Sequence, residues 1–178
     1  AENFRQIVPI FSNVIFDTSQ SHANVIFDHM FDWLDCVLEI AARHPDTLFV
    51  LRAHPDEARP GKASRENVAS WAKSRRVETF ENVIFVDATE HFSSYELIQR
   101  SKFVLIYNST IGMEAILLGT PVISGGKARF TDLPTVFLPD SRSAFVDQVE
   151  SFLHAEEISV PGQFKANVRR FLYTQLYR

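Results

Sequence analysis

Apolar positions along this chain follow two rhythms that alternate: short, nearly continuous apolar runs, and longer stretches with helical spacing. Ile7 to Phe16 (IVPIFSNVIF) is rich in β-branched and aromatic residues and predicts a strand running into a loop. Met30, Phe31, Trp33, Leu34, Val37, Leu38 and Ala41 then recur on one broad helical face, with Asp28 placed to cap it and Pro45 just past its end. Thr47 to Arg52 (TLFVLR) predicts a second strand leading into Ala53-His54-Pro55. Asp56 to Arg65 is polar, contains Pro60-Gly61 and reads as a surface loop, and Glu66 to Ser74 reads as a short helix carrying Val68 and Trp71. Further strands are expected at Asn82 to Asp87, Lys102 to Tyr107 and Thr120 to Ser124, with a last edge strand at Thr135 to Leu138. Ser93 and Glu96 form a capping box for a helix through Arg100, and a helix from about Ile111 to Leu118 closes on Gly119 as a left-handed C-cap. Ser141 or Ser143 caps a helix carrying Phe145, Val146, Val149 and Phe152. A tail stripe follows through Phe164, Val168, Phe171, Leu172 and Leu176.

Strands without polar alternation, separated by helices, indicate a parallel sheet covered on both faces. With right-handed crossovers this is an α/β fold, a Rossmann-like doubly wound parallel sheet. The expected division is one Rossmann-like domain over 1–154, then a linker and C-terminal amphipathic helix over 155–178.

Composition narrows the function classes. With 178 residues, 46% hydrophobic and 22% charged, the chain can bury a full core without staples. A single Cys excludes an internal disulfide and Cys-based metal centres, and a net charge of −4 gives no electrostatic footprint for nucleic acid. No apolar run approaches the roughly 18 residues of a membrane span, and Ala1 to Arg5 has neither the basic start nor the apolar core of a signal peptide. The missing initiator Met suggests a processed or excised chain. A cytoplasmic location is expected.

In open parallel sheets ligands bind at the carboxyl ends of the strands, near the point where strand order reverses. Asn108-Ser109-Thr110-Ile111-Gly112-Met113-Glu114 leaves a buried strand and enters a helix without a spacer. First-turn N–H groups and the helix dipole favour an anion there, Ser109 and Thr110 add hydroxyl donors, and Gly112 would let a ligand approach the backbone. A simple N-cap role for Ser109 or Thr110 is an equal alternative. Glu114, one turn in, could accept from ribose hydroxyls or be a solvated acid. His54, held extended by Pro55, could reach a phosphate or base across the cleft, or be an ordinary exposed histidine. Glu57, Arg59 and Lys62 read as solvated loop charges, with Glu57 retained as a weak site candidate beside Asn13, Asp17 and Lys127. Trp33, Trp71 and the 16 Phe residues read as core. There is no G-x-G-x-x-G, P-loop, G-x-S-x-G elbow or H-E-x-x-H, the six His show no tight ligand spacing, and no Asp-x-Asp pair could hold a divalent ion on a diphosphate. A phosphate site without metal or cofactor is the remaining reading.

Arg52-Ala53-His54-Pro55-Asp56-Glu57, Ser93-Ser94-Tyr95-Glu96-Leu97-Ile98, Tyr107-Asn108-Ser109-Thr110-Ile111-Gly112-Met113-Glu114-Ala115 and Gly119-Thr120-Pro121-Val122-Ile123 occur in that order. From about Phe11 to Phe152 the chain resembles the C-terminal half of GT-B-type bacterial capsule polysaccharide biosynthesis proteins. These are related to Kdo transferases and share His-Pro and Ser/Thr motifs with GT-B bacterial sialyltransferases. The resemblance implies one lobe of a GT-B fold that binds a nucleotide-sugar donor, a CMP-linked one among the options, without metal. His54, Ser109 and Thr110 would hold the donor phosphate and Glu114 the ribose. The acceptor-binding N-terminal lobe of the same protein would carry the catalytic base, and the full-length protein would be a glycosyltransferase, inverting or retaining, with peripheral attachment to the inner membrane face left open. The alternatives are a phosphoglycerol-type polymer transferase, a nucleotide-sugar epimerase lobe, or a non-catalytic scaffold lobe of a polysaccharide assembly complex. The tail helix would either pack on this domain or cross towards the other lobe.

Overall fold

The computed structural model describes residues 4–14, 20–58 and 67–176. Its centre is a five-stranded, all-parallel sheet in the order β3-β2-β1-β4-β5. The strands are β1 (Gln6–Phe11), β2 (Thr47–Arg52), β3 (Val83–Val86), β4 (Val104–Ile106) and β5 (Val122–Ser124). The helices are α1 (Gln20–Ala23), α2 (Met30–Arg43), α3 (Val68–Ser74), α4 (Ser94–Gln99), α5 (Ile111–Leu118), α6 (Arg142–His154) and α7 (Gly162–Leu176). The chain winds outward from β1 to β3, then returns to the other side of β1 for β4 and β5. Strand order therefore reverses between β1 and β4, where the crevice of a doubly wound sheet opens.

Side chains alternate across the sheet and bury on both sides, which is why the strands read as continuous apolar runs. Val8, Ile10, Phe49, Leu51, Leu105 and Ile123 join one core with α2, α3 and α6. Phe11, Leu48, Val50, Val104, Ile106 and Val122 join the other with α4, α5 and α7. Pro9 lies in the central strand, a position that normally needs an N–H. Ile7 presents its carbonyl to the Lys102 N–H on the β4 side, and the two-residue alternation turns the Pro9 nitrogen the same way. β4 pairs with β1 only from Ile10 upward, so the missing donor removes no rung.

Helix α2 buries Met30, Trp33, Leu34, Cys36, Val37, Ile40 and Ala41. Its cap is His29 rather than Asp28: His29 Nδ1 accepts the Asp32 N–H at 3.0 Å, while the Asp28 carbonyl is taken by Asn24 Nδ2 at 2.8 Å. Ser93 caps α4 by accepting the Glu96 N–H at 3.3 Å, and Ser141 caps α6 by accepting the Ala144 N–H at 3.2 Å. Asn67 caps α3, accepting the Ser70 N–H at 2.7 Å. The expected edge strand at Thr135 to Leu138 reduces to one parallel bridge between Ile123 and Phe137. Pro134 and Pro139 flank it and deny further donors.

Helix α7 packs back on this lobe. Phe164 and Val168 enter the second core, and Asn167 Nδ2 donates to the Pro134 carbonyl at 2.9 Å. No helix among the described residues is long and apolar enough to cross a membrane.

Candidate functional site

Three strand ends converge at the reversal point. After β1, Asn13 Nδ2 donates to Asn108 Oδ1 at 2.6 Å, and Asn13 Oδ1 accepts the Val14 N–H at 2.8 Å. This amide pair ties the loop after β1 to the loop after β4. After β2, Pro55–Ala58 forms a 3-10 turn, and His54 Nδ1 accepts the Asp56 N–H at 3.1 Å. An Nδ1 that accepts leaves Nε2 to carry the proton of the neutral ring.

After β4, the chain enters α5 through Asn108-Ser109-Thr110. Thr110 holds the N-cap position with φ −63° and ψ −19°, and its side chain makes no capping hydrogen bond. Its backbone is already helical there, so the hydroxyl cannot swing over the first-turn N–H groups as an extended N-cap does. Among the described residues neither the Ser109 nor the Thr110 hydroxyl has a hydrogen-bond partner. Thr110 is exposed, and Ser109, 8% exposed, lines the cavities at this end of the sheet. Two donors thus stand uncommitted at the positive end of a helix, where an anion is favoured.

These residues border two cavities. A cleft of about 1190 Å³ is lined by Asn13, His54, Asn108, Ser109, Thr110, Lys127 and Arg129, with Phe171, Leu172 and Gln175 of α7 as its outer wall. A smaller groove of about 210 Å³ is lined by Arg52, His54, Pro55, Ser94, Ser109, Thr110 and Glu114. His54, Ser109 and Thr110 form the wall common to both. Glu114 accepts a hydrogen bond from the Tyr95 hydroxyl, and this contact holds the Tyr95 phenol above its usual pKa. Glu114 therefore faces the small groove and not the large cleft.

Gly112 sits elsewhere than expected. It is buried, and a Cβ there would lie 2.5 Å from Ile106 Cδ1 and 3.4 Å from Val122 Cγ1. Its lack of a side chain lets α5 pack on β4 and β5, and it lines neither cavity. Glu57 is not a solvated loop charge. It is half-buried, its Oε2 accepts the Val68 N–H at 3.4 Å, and its Oε1 is buried without a partner. Burial pushes its carboxyl up to about 7, with Asp87 adding to the rise. Asp17, Arg59 and Lys62 lie outside the described residues.

The loop after β5 supplies what the sequence reading treated too lightly. Lys127 pairs with Asp132 at 3.1 Å with both side chains well exposed, and Arg129 brings a second cation to the cleft. The Gly125-Gly126 pair makes this possible. A Cβ on Gly125 would meet Trp33 Cδ1 at 2.3 Å, and one on Gly126 would meet the Tyr107 carbonyl at 2.9 Å. The chain thus lies flat across the sheet top, where the Gly126 N–H donates to Tyr107 O at 2.7 Å, before turning to the cleft. His22 of α1 also lines the cleft. The strand-end rule, extended one strand further, would have added Arg129 to Lys127, already a weak candidate; no sequence signal marks His22.

A doubly wound lobe of this kind has known counterparts. The full chain superposes on 45% of UDP-GlcNAc 2-epimerase from Neisseria meningitidis bound to UDP-GlcNAc, with a TM-score of 0.59 and 16% identity. It superposes over 92% of its length on 44% of KpsC, a beta Kdo 2,7 transferase of Thermosulfurimonas dismutans, with a TM-score of 0.52 and 17% identity. At these identities the likeness establishes a GT-B-like lobe as the fold. The chain spans less than half of either protein. In sequence it is 32% identical over 97 residues to protein FixF of Sinorhizobium fredii, matching 54% of this chain and 20% of that one. Residues 4–134, which contain every strand and the whole wall of His54, Ser109 and Thr110, match the family model of capsule polysaccharide biosynthesis proteins, and the chain belongs to that family.

Proposed function

We propose that this lobe binds the nucleotide-sugar donor of a metal-independent glycosyltransferase acting in capsule or surface polysaccharide assembly. The observation that carries the reading is the wall common to the two cavities, with two hydroxyls that have no partner among the described residues and an imidazole whose Nδ1 is already satisfied. A donor phosphate set against that wall would receive the Ser109 and Thr110 hydroxyls and the proton on His54 Nε2. The nucleoside would extend into the small groove, where Glu114 can accept from ribose hydroxyls. The sugar would occupy the larger cleft beside Lys127 and Arg129. As the glycosidic bond breaks, negative charge grows on the departing phosphate, and donors already aimed there stabilise it without reorganisation. The family membership and the UDP-GlcNAc bound by the epimerase of like fold support the same ligand class. The base that activates an acceptor is expected from another lobe of the full-length protein.

Calorimetry with CMP, UDP, GDP and CDP compounds tests the reading. One of them should bind, and Ser109→Ala with Thr110→Ala should weaken it about tenfold or more, since each lost donor faces a charged acceptor. Unchanged affinity in a folded double variant refutes the assignment of the wall.

A further inference from the structure

At the opposite edge of the sheet, below the strand starts, a second constellation lies outside the proposed donor site. His44 caps the C-terminus of α2, while Glu150 and His154 lie one turn apart on α6. Residues four apart share a helix face, which brings both α6 side chains towards the end of α2. His44 Nε2 lies 2.7 Å from Glu150 Oε2. The two imidazole rings stand 5.6 Å apart between centroids at 71° to each other. One ligand atom from each of His44, Glu150 and His154 falls within 4.8 Å of the others.

We infer that His44, Glu150 and His154 form a divalent transition-metal site, of which Zn²⁺ is the natural occupant, clamping the end of α2 to the end of α6. The supporting contacts are those of a metal centre. His154 Nδ1 lies 2.7 Å from the Glu150 carbonyl, so Nδ1–H donates there and Nε2 keeps the lone pair that can coordinate. Glu150 Oε1 accepts from Arg43 Nη2 at 2.8 Å, which fixes the carboxylate while Oε2 is presented to the imidazoles. A tetrahedral ion with bonds of about 2.0–2.1 Å needs ligand atoms roughly 3.3 Å apart, so binding requires rotation of the His154 and Glu150 side chains within the 4.8 Å cluster and loss of the bridging proton. Two imidazoles and one carboxylate suit zinc, copper or nickel, whereas calcium and magnesium require more oxygen ligands than this site offers. Arg43 cancels the carboxylate charge, and this again favours binding through nitrogen over binding through charge alone. His154 is exposed while the His44 side chain is 14% exposed, so an ion can enter from solvent and a water can complete the coordination. The Leu153 carbonyl, next to His154, accepts from Gln6 Nε2 at 3.3 Å and Lys102 Nζ at 3.0 Å at the starts of the sheet. The ion would thus fasten α6 to the base of the fold, far from the strand-end cleft, and its role is structural.

The test is titration of the chelator-treated chain with ZnCl₂ and CoCl₂ near neutral pH, read by calorimetry, melting temperature and the visible absorption of Co²⁺. One equivalent of Zn²⁺ should bind and raise the melting temperature by about 5–10 °C at a hundredfold excess over Kd. Co²⁺ should give visible bands of low coordination number, and Mg²⁺ and Ca²⁺ should have no effect. His44→Gln and His154→Gln should each weaken Zn²⁺ at least tenfold, while His91→Gln, a surface control, should leave binding unchanged. Circular dichroism of the metal-free variants reports whether each is folded. The inference is overturned if Zn²⁺ produces no stoichiometric binding, or if binding survives in a folded double variant of His44 and His154. Nucleotide affinity is measured on the same samples, so failure here and failure of the donor-site reading are told apart.

Discussion

Glu57 turns a buried atom into a measurable dependence on pH. Its Oε1 is buried without a partner and its carboxyl is pushed up to about 7 from a reference of 4.5, chiefly by burial. The folded chain therefore holds a proton more tightly than the unfolded chain does. Stability contributed by the protonated carboxyl is complete below about pH 4.5 and is lost as pH rises through 7. Such a separation corresponds to a ceiling of about 3 kcal/mol, and partial exposure reduces it to about 2 kcal/mol. Glu57→Gln keeps an oxygen to accept the Val68 N–H and cannot ionise. The variant should lie within about 0.5 kcal/mol of the parent at pH 5 and exceed it by about 2 kcal/mol at pH 8, or about 4–8 °C in melting temperature. Urea denaturation of both proteins at half-unit steps from pH 5 to pH 8 measures the difference, in which groups common to both cancel. A difference that stays constant across this range would show that Glu57 titrates as an ordinary surface acid, and the burial argument would fail.

Gly125→Ala should cost about 1–3 kcal/mol in urea denaturation, because the new Cβ would sit 2.3 Å from Cδ1 of fully buried Trp33. A parental midpoint would mean that the indole can retreat. Asn13→Ala removes both the donor to Asn108 and the acceptor for the Val14 N–H, and a loss of about 1–3 kcal/mol is expected together with weaker nucleotide binding. Loss of stability at constant affinity would confine the pair to a structural role. His54→Ala should weaken a nucleotide more than its nucleoside in calorimetry; equal losses would move the imidazole from the phosphate to the base.

The sheet and its helices were legible because each strand is bounded by strong punctuation. Ile111–Leu118 matches its expected bounds, and Gly119 takes φ +94° as a C-cap glycine should. The Ser93 cap was legible for the same reason, although of the expected capping box only the Glu96 N–H to Ser93 Oγ bond forms among the described residues. Features that depend on distant segments were not. A polar loop does not announce which acid folds underneath, so Glu57 read as solvated. Gly112 and the adjacent hydroxyls look alike in sequence as parts of one cradle, yet Ile106 decides that the glycine serves packing. The approach of His44 to Glu150 joins residues 106 positions apart, beyond any local spacing rule.

Helix α7 sets where this lobe can be divided. Phe171 packs edge-on against Phe130 at 6.4 Å, and Phe164 against Phe137 at 5.0 Å. A fragment cut after Ala155 would retain all five strands yet strip one flank from the second core and leave the cleft without its outer rim. Trimming should then cost solubility, so the last fifteen helical residues belong to the folding unit as much as the sheet does.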